Sequence, residues 1–218
     1  MRRVRYPKRL KNIRQELEDT WRSMRNITTD PGIREQFASL PRVPVDLIGL
    51  RLDHFANQGG ILRVADAFRI NHVHFEPEEG EKADLAGARG AGYWQPHSYG
   101  DVAPAIEKAK AEGKRIYALH LDATARPVQQ VEWQFPAVIV FGEEKYGVRK
   151  EILPLCDEMI AIPMYGVTTS MNVTQAVTIS LHCAMTQFLA ANPDFAPARA
   201  VSRKLMGFEG GIGEDTSS

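Results

Sequence analysis

Apolar runs of strand length alternate with helical stripes along most of the chain. The runs begin near positions 45, 72, 115, 137 and 158. The run at 137–141, AVIVF, is apolar throughout, which is typical of a strand buried on both faces of a sheet. Predicted helices follow the first, second, fourth and last runs, and an irregular stretch follows the third. The alternation predicts an α/β fold, with a mainly parallel sheet and helices on both of its faces.

The segment 159–182 combines a strand, a polar loop and a helix. Pro163 ends the strand because it has no N–H group to donate to a ladder. Gly, Thr, Ser and Asn dominate the loop at 164–172, and either Ser170 or Asn172 is a good N-cap for a helix that runs to about residue 191. The spacing alone is that of an ordinary connection, whereas the loop composition also suits a pocket wall.

The segments between the other predicted strands are assigned from their glycine, polar and apolar residues. We predict a glycine turn at 57–60 before a helix, a short helix at 84–90, an irregular stretch at 122–135 and a helix at 149–156. In a parallel sheet, ligands bind outside the carboxyl ends of the strands. The loops expected there are 57–60, 119–122, 142–147 and 164–172, and three of these four are rich in Gly or small polar residues.

Histidine and cysteine spacing gives no metal signature. His72 and His74 share one face of a predicted strand, and an HxH pair can bind a metal. Spacing suggests no carboxylate or thiolate partner for them, so hydrogen-bonded polar side chains are the preferred interpretation. Cys156 and Cys183 lack CxxC or Cys/His spacing, which predicts free thiols in a reducing compartment, the cytoplasm.

Charge separates the ends of the chain from its centre. Lys plus Arg and Asp plus Glu are 27 each, yet nine basic residues face only three acidic ones within positions 1–25. Residues 1–44 are predicted to form a basic helical extension. It either neutralises RNA phosphates or packs on the domain with its charged face in solvent. Residues 192–218 are predicted to be a short helix and a disordered acidic tail. No apolar run is long enough to predict a membrane span.

Three segments resemble, in order and spacing, the motifs of the SpoU/TrmH family of RNA ribose 2'-O-methyltransferases, within the knotted SPOUT class. The first is Asn57-x-Gly59-x-x-x-Arg63, and the second is FGEEKYGV at 141–148. The third contains Ile162-Pro163-Met164, Gly166 and Ser170-x-Asn172-Val173. The likeness covers about residues 45–190, so residues 45–191 are interpreted as a SPOUT methyltransferase domain.

The resemblance implies a cofactor, a set of site residues and an assembly. S-adenosyl-L-methionine is expected at positions matching Leu119, Gly142, Ile162 and Met171. Motif positions imply catalytic-site roles for a second set of polar residues, namely Arg63, Asn57, Glu144, Ser170 and Asn172. The resemblance also implies a C-terminal trefoil knot and a homodimer with its sites at the interface.

The implied activity is 2'-O-methylation of a ribose in RNA. The segments EKYG and ALHL favour tRNA of the D-loop guanosine type over rRNA, and a non-catalytic RNA-binding SPOUT protein is the alternative. Because a guanidinium stays protonated, Arg63 is interpreted as a fork that holds an RNA phosphate instead of as a base. Ser170 and Asn172 also suit helix capping, and Glu144 also suits tying loops together.

Three positions depart from the pattern of that family. Arg69 stands where the family usually has glycine, and it either adds a charge near the RNA face or caps a helix end. Glu143 stands where an amide is frequent, which places a carboxylate near the expected cofactor. Met171 replaces the commoner leucine, a mild change of apolar shape.

Overall fold

The computed structural model describes residue 35 and residues 38–52, 55–77, 88, 90–143 and 146–195. All the elements below belong to one compact unit, Arg42–Phe195. The predicted basic segment at 1–25 and the acidic tail lie outside the described residues, as does nearly all of the helix predicted at 84–90. No helix among the described residues is long and apolar enough to cross a membrane.

Seven parallel strands form a single sheet in the order β3-β2-β1-β6-β4-β7-β5. They are β1 (Val43–Gly49), β2 (Ile70–Phe75), β3 (His97–Tyr99), β4 (Arg115–Leu119), β5 (Arg126–Pro127), β6 (Ala137–Phe141) and β7 (Glu158–Ala161). The predicted parallel sheet is confirmed. Strands β3 and β5 were missed because runs of 3 and 2 residues are too short to show a period.

Within the unit Arg42–Phe195 the structure describes four α-helices, and two of the local predictions were wrong. The helices are α1 (Phe55–Phe68), α2 (Ala91–Trp94), α3 (Val102–Ala111) and α4 (Val173–Ala191). The turn predicted at 57–60 lies inside α1. The helix predicted at 149–156 reduces to a 3-10 turn, Leu153–Leu155, because Pro154 lacks an N–H and disfavours the α region at the preceding residue.

The glycines within α1 serve close packing. A Cβ atom at Gly60 would lie 3.1 Å from Oγ1 of Thr174, at the start of α4. Any larger residue at position 60 would therefore press against α4. The same lack of a side chain that suggested a turn in the sequence allows two helices to approach each other.

Side chains that alternate along the central strands build one apolar layer on each face of the sheet. Leu47, Ile139 and Tyr117 are buried in the layer that holds α1 and α4, whereas Ile48 and Val140 are buried in the layer that holds α3. All five residues of β6 are buried. The prediction of helices on both faces is confirmed.

The bounds predicted for α4 are confirmed. Asn172 is the N-cap, and its side chain accepts a 2.9 Å hydrogen bond from the backbone N–H of Thr174. The buried positions lie three or four residues apart along one face of the helix, namely Val173, Val177, Ser180, Leu181, Ala184 and Phe188.

Arg69 ends α1 in a left-handed conformation, with φ at 49°. Its N–H donates to the carbonyl of Asp66 at 3.0 Å, which terminates the helix. Only 6% of the residue is exposed, and its position at the end of α1 fits the helix-end alternative, while a charge near the RNA face stays a prediction. Burial, aided by the nearby charge of Arg42 and opposed by Asp66, lowers the pKa of Arg69 to about 10.

Candidate functional site

A cavity of about 280 Å³ lies at the carboxyl ends of β4, β6 and β7. This is the edge at which parallel sheets bind ligands. Four chain segments line it, with Leu119, His120 and Leu121 from the first, Phe141, Gly142, Glu143, Tyr146 and Gly147 from the second, Ala161, Ile162 and Met164 from the third, and Thr169, Ser170, Met171, Val173 and Ala176 from the fourth.

The four positions predicted to bind the cofactor line this one cavity. Leu119 is the last residue of β4, Gly142 follows β6, Ile162 follows β7, and Met171 comes directly before the cap of α4. Each therefore contributes a different wall. The structure brings the four together, while their role toward a ligand stays a prediction.

The loop that follows β6 closes tightly on itself. The N–H of Gly147 donates to the carbonyl of Glu143 at 2.8 Å, and Gly147 has a left-handed φ of 64°. A Cβ atom at Gly142 would lie 1.8 Å from the carbonyl oxygen of Gly147, so no side chain fits there. Glu144 lies in this loop but outside the described residues, so its predicted site role stays a prediction.

Two of the predicted catalytic residues meet next to the cavity. Nδ2 of Asn172 donates a 3.1 Å hydrogen bond to Oδ1 of Asn57. Thr174, which the motif comparison missed, also donates from Oγ1 to the same atom at 3.4 Å. Asn172 lies between two residues that line the cavity, Met171 and Val173. These contacts join α1 to the start of α4.

Of the other two described members of the predicted catalytic set, one lines the cavity and the other does not. Ser170 lines the cavity. Arg63 is on α1, with its side chain exposed, and it is not among the lining residues of the cavity. Its guanidinium forms no hydrogen bond or ion pair recorded with the described residues. The structure therefore places Arg63 where its charged group is open to a partner from solution.

An ion pair holds the loop after β6 to the neighbouring strands. The guanidinium of Arg149 donates to both carboxylate oxygens of Glu76 at 2.8 Å, and the backbone N–H of Arg51 donates to Glu76 at 2.8 Å. Burial acts to raise the pKa of Glu76, but the hydrogen bonds from Arg149 and Arg51 outweigh it and bring the pKa below the ordinary value. Nothing in the motifs had indicated this pair.

His120 is a second residue that the motifs did not reveal. Its backbone N–H donates to the carbonyl of Ile160 at 3.0 Å, while its ring packs against Gly147. The ring nitrogen Nδ1 is buried and has no hydrogen-bond partner among the described residues. The available signal was its place directly after a predicted strand, beside Leu119.

The two histidines of β2 are hydrogen-bonded, as interpreted from the sequence. His72 Nε2 lies 2.8 Å and His74 Nδ1 lies 3.0 Å from Oγ of Ser98, and His74 Nε2 lies 3.0 Å from the carbonyl of Gly100. Burial is the main cause that lowers the pKa of His72. In the part of the chain that the structure describes, no cluster of three or more His, Cys, Asp or Glu residues could hold a metal ion.

Comparison with known proteins gives a consistent result. The model of the SpoU rRNA Methylase family matches residues 46–182. The tRNA (guanosine(18)-2'-O)-methyltransferase of Escherichia coli K12 is 32% identical over 133 residues, which is 60% of this chain and 58% of that protein. The enzyme of the same name from Thermus thermophilus is 34% identical over 137 residues, which is 62% of this chain and 71% of that protein.

Solved structures share the fold. The crystal structure of the A. aeolicus TrmH/SpoU tRNA modifying enzyme superposes with a TM-score of 0.67 at 24% identity, over 80% of this chain and 92% of that chain. At this identity the likeness concerns the fold alone. The match to the E. coli protein spans little more than half of its length, 58%.

Proposed function

Because this chain belongs to the SpoU rRNA methylase family, we propose that it transfers a methyl group from S-adenosyl-L-methionine to a ribose 2'-hydroxyl of RNA. We propose tRNA as the substrate, at a D-loop guanosine, because the relatives at 32% and 34% identity are named tRNA (guanosine(18)-2'-O)-methyltransferases. The observation that carries this proposal is the convergence of Leu119, Gly142, Ile162 and Met171 on one cavity.

The chemistry of the cavity suits this cofactor, which supplies an electrophilic methyl group on a positively charged sulfur. Apolar side chains such as Leu119, Ile162 and Val173 offer walls for a planar base. The backbone at Gly142 approaches without a side chain, and His120 contributes a buried polar atom that has no partner in the described chain. An apolar pocket with a few polar atoms is the usual form of a nucleoside site.

We assign Arg63 to the RNA and not to proton abstraction. A ribose hydroxyl must be aligned with the methyl donor and must lose its proton as the C–O bond forms. The guanidinium of Arg63 stays protonated, so it holds the neighbouring phosphate through a fork of hydrogen bonds. The proton then passes to a phosphate oxygen or to water. The exposed position of Arg63 supports this role.

The remaining predicted residues position the reacting groups. In this proposal, the hydrogen bond from Asn172 to Asn57 holds the helix that carries Arg63 against the start of α4. Ser170 lies in the cavity wall and orients the ribose hydroxyl from there. Glu144 is assigned to the loop between Gly142 and Gly147, where it ties that loop to neighbouring backbone groups.

We also propose a C-terminal trefoil knot and a homodimer. The lining of a single cavity by residues from 119–121, 141–143, 146–147 and 161–176 supports this proposal, because a threaded α4 would bring its first residues against these loops. Exposed apolar side chains in or near these cavity loops support an interface, with exposures of 60% for Leu121, 65% for Tyr146, 94% for Tyr165 and 101% for Val167. Light scattering after size-exclusion chromatography measures the assembly directly.

The proposed domain division assigns methyl transfer to residues 45–191, RNA gripping to the basic segment 1–44, and no catalytic part to 192–218. Deleting residues 1–30 is expected to weaken RNA affinity and flatten its dependence on salt, with unchanged cofactor affinity. If the dependence of RNA affinity on salt were unchanged, the alternative would hold, in which the segment is a solvated face packed on the domain. We assign the protein to the cytoplasm, where the free thiols of Cys156 and Cys183 stay reduced.

The decisive experiment is transfer of a tritiated methyl group to total tRNA and to rRNA in parallel, followed by mapping of the alkali-resistant ribose. Label in tRNA at a D-loop guanosine supports the proposal. Label only in rRNA would show that rRNA, and not tRNA, is the substrate. Arg63→Ala and Arg63→Lys serve as paired variants, because only the fork geometry separates Lys from Arg. Calorimetry that detects no cofactor binding at high micromolar concentration would exclude the enzyme and favour an RNA-binding protein without turnover.

A further inference from the structure

The backbone of His120 is fixed between two walls of the cavity. Its N–H donates to the carbonyl of Ile160 on β7, while its ring extends to the loop that follows β6. The side chain is half-buried, and it belongs to the cavity lining. The ring therefore has a defined direction before any ligand arrives.

The contact with Gly147 determines which ring nitrogen carries the proton. A Cβ atom on Gly147 would lie 2.7 Å from Nδ1, so the Cα–H bond in that direction points at this nitrogen. A bare nitrogen accepts a weak C–H hydrogen bond, whereas an N–H group there would meet the C–H hydrogen head-on. Nδ1 is also buried without a partner among the described residues. The neutral ring therefore carries its proton on Nε2.

The second nitrogen is accessible, on a ring that belongs to the cavity lining. Nε2 is not among the buried atoms that lack a partner, and no hydrogen bond to a described residue is recorded for it. The imidazole thus presents one N–H donor whose orientation is set by packing. Such a preorganised donor loses little entropy when it meets an acceptor.

From this geometry we infer that His120 is a specificity-determining residue that donates from Nε2 to a hydrogen-bond acceptor of the bound S-adenosyl-L-methionine. The inference rests on the function proposed above. The acceptor belongs either to the nucleoside part or to the carboxylate of the amino-acid part, and the two share the same recognition chemistry.

Three variants of the full chain test the donor at atomic level. His120→Phe keeps the ring shape and removes both nitrogens. In His120→Gln the side-chain amide reaches the place of Nε2, whereas in His120→Asn it reaches only the place of Nδ1. We expect the dissociation constant for S-adenosyl-L-methionine, measured by calorimetry, to rise about tenfold in Phe and Asn and by less than about threefold in Gln.

A role in packing alone would give the opposite order. The close contact with Gly147 would then make Phe the mildest change, and Asn and Gln would not differ in the expected direction. Binding in His120→Phe equal to that of the unaltered protein overturns the inference. So does retention of affinity in Asn with loss in Gln.

The ligand series locates the acceptor. The same variants are titrated with S-adenosylhomocysteine and with 5'-methylthioadenosine, which lacks the amino-acid carboxylate. A penalty that persists with 5'-methylthioadenosine places the acceptor on the nucleoside, and a penalty that disappears places it on the carboxylate. The absence of a penalty with every ligand overturns the inference.

Nitrogen-15 NMR on the unaltered protein gives a readout that needs no variant to fold. With ring-labelled histidine, His120 is expected to show a proton on Nε2, and that resonance is expected to shift when S-adenosylhomocysteine is added. A proton on Nδ1 would contradict the inference. If the unaltered protein binds no cofactor at all, the proposed function itself fails, whereas binding without any change at His120 removes only the present inference.

Discussion

The side-chain amide of Asn172 donates a hydrogen bond of 3.1 Å to Oδ1 of Asn57, 115 positions earlier in the chain. The same side chain caps α4, because its oxygen Oδ1 accepts a hydrogen bond from the backbone N–H of Thr174 at 2.9 Å. One side chain therefore starts the last helix and binds it to α1. Because α1 also carries Arg63, this bond helps to set where the group proposed to hold the RNA lies relative to the cavity.

Replacing Asn172 separates its two roles. Asn172→Ala removes both and is expected to lower the free energy of unfolding by about 1–2 kcal/mol. Asn172→Asp keeps the capping oxygen but replaces Nδ2 by a second carboxylate oxygen that faces Oδ1 of Asn57, so part of the stability should recover while activity stays low. Urea unfolding and methyl transfer measure the two effects. Full activity in Asn172→Asp would contradict the positioning role.

Gly142 is expected to tolerate no side chain. In Gly142→Ala the new Cβ would overlap the carbonyl of Gly147, and relief requires opening the loop that lines the cavity. We expect a loss of about 3 kcal/mol in the free energy of unfolding together with loss of cofactor binding. Gly166→Ala is the matched control, because its Cβ would meet no described atom within 4 Å. Equal stability of the two variants would refute the clash.

The ion pair between Glu76 and Arg149 predicts a dependence on pH. The pKa of Glu76 is lower in the folded protein, so its contribution to stability is present above the ordinary carboxyl pKa and is lost as pH falls through the folded value. Glu76→Gln should therefore be less stable by about 1 kcal/mol near neutral pH, given the partial exposure of the pair. The difference should shrink as pH falls below the ordinary carboxyl pKa and through the lower folded value.

Glu107→Gln provides the control for this measurement, since Glu107 is an exposed carboxylate on α3. Chemical unfolding at several pH values gives both differences. If Glu76→Gln and Glu107→Gln behaved alike across the series, the ion pair would have no measurable part in stability. Cofactor affinity of Glu76→Gln further reports whether the pair holds the loop after β6 in place.

The left-handed backbone at Arg69 gives a prediction in which two variants are compared with each other. Arg69→Gly and Arg69→Ala lose the same guanidinium contacts, but only Gly adopts a φ of 49° without strain. The Gly variant is expected to be more stable than the Ala variant by about 1 kcal/mol. Thermal or urea unfolding checks the order, and an Ala variant as stable as the Gly variant would contradict it.

Local patterns were sufficient for the elements that depend on nearby residues. The apolar run of β6 and the spacing of Val173, Val177 and Leu181 reflect burial, which acts on each element along its own length. The cap at Asn172 needs only the N–H of Thr174, two positions later. The family resemblance also marked Leu119, Gly142, Ile162 and Met171, which line the cavity, although no spacing rule by itself brings them together.

Tertiary contacts decided the features for which local chemistry allows two outcomes. Glycines at 59 and 60 suit a turn or a close helix crossing, and the approach of Thr174 to Gly60 selects the second. The sequence shows only that His120 comes directly after the last residue of β4. The packing of its ring against Gly147 is what leaves Nδ1 buried without a partner in the described chain.

The sequence by itself therefore determined the longer strands and the main helices, because periodicity and capping act over a few positions, and its resemblance to a known family supplied the candidate site residues. Tertiary structure decided that Asn57 meets Asn172, that Arg69 is buried, and that Glu76 holds Arg149. The physical reason is that hydrogen bonds and steric contacts across the fold depend on which surfaces meet, and the local pattern of a chain does not contain that information.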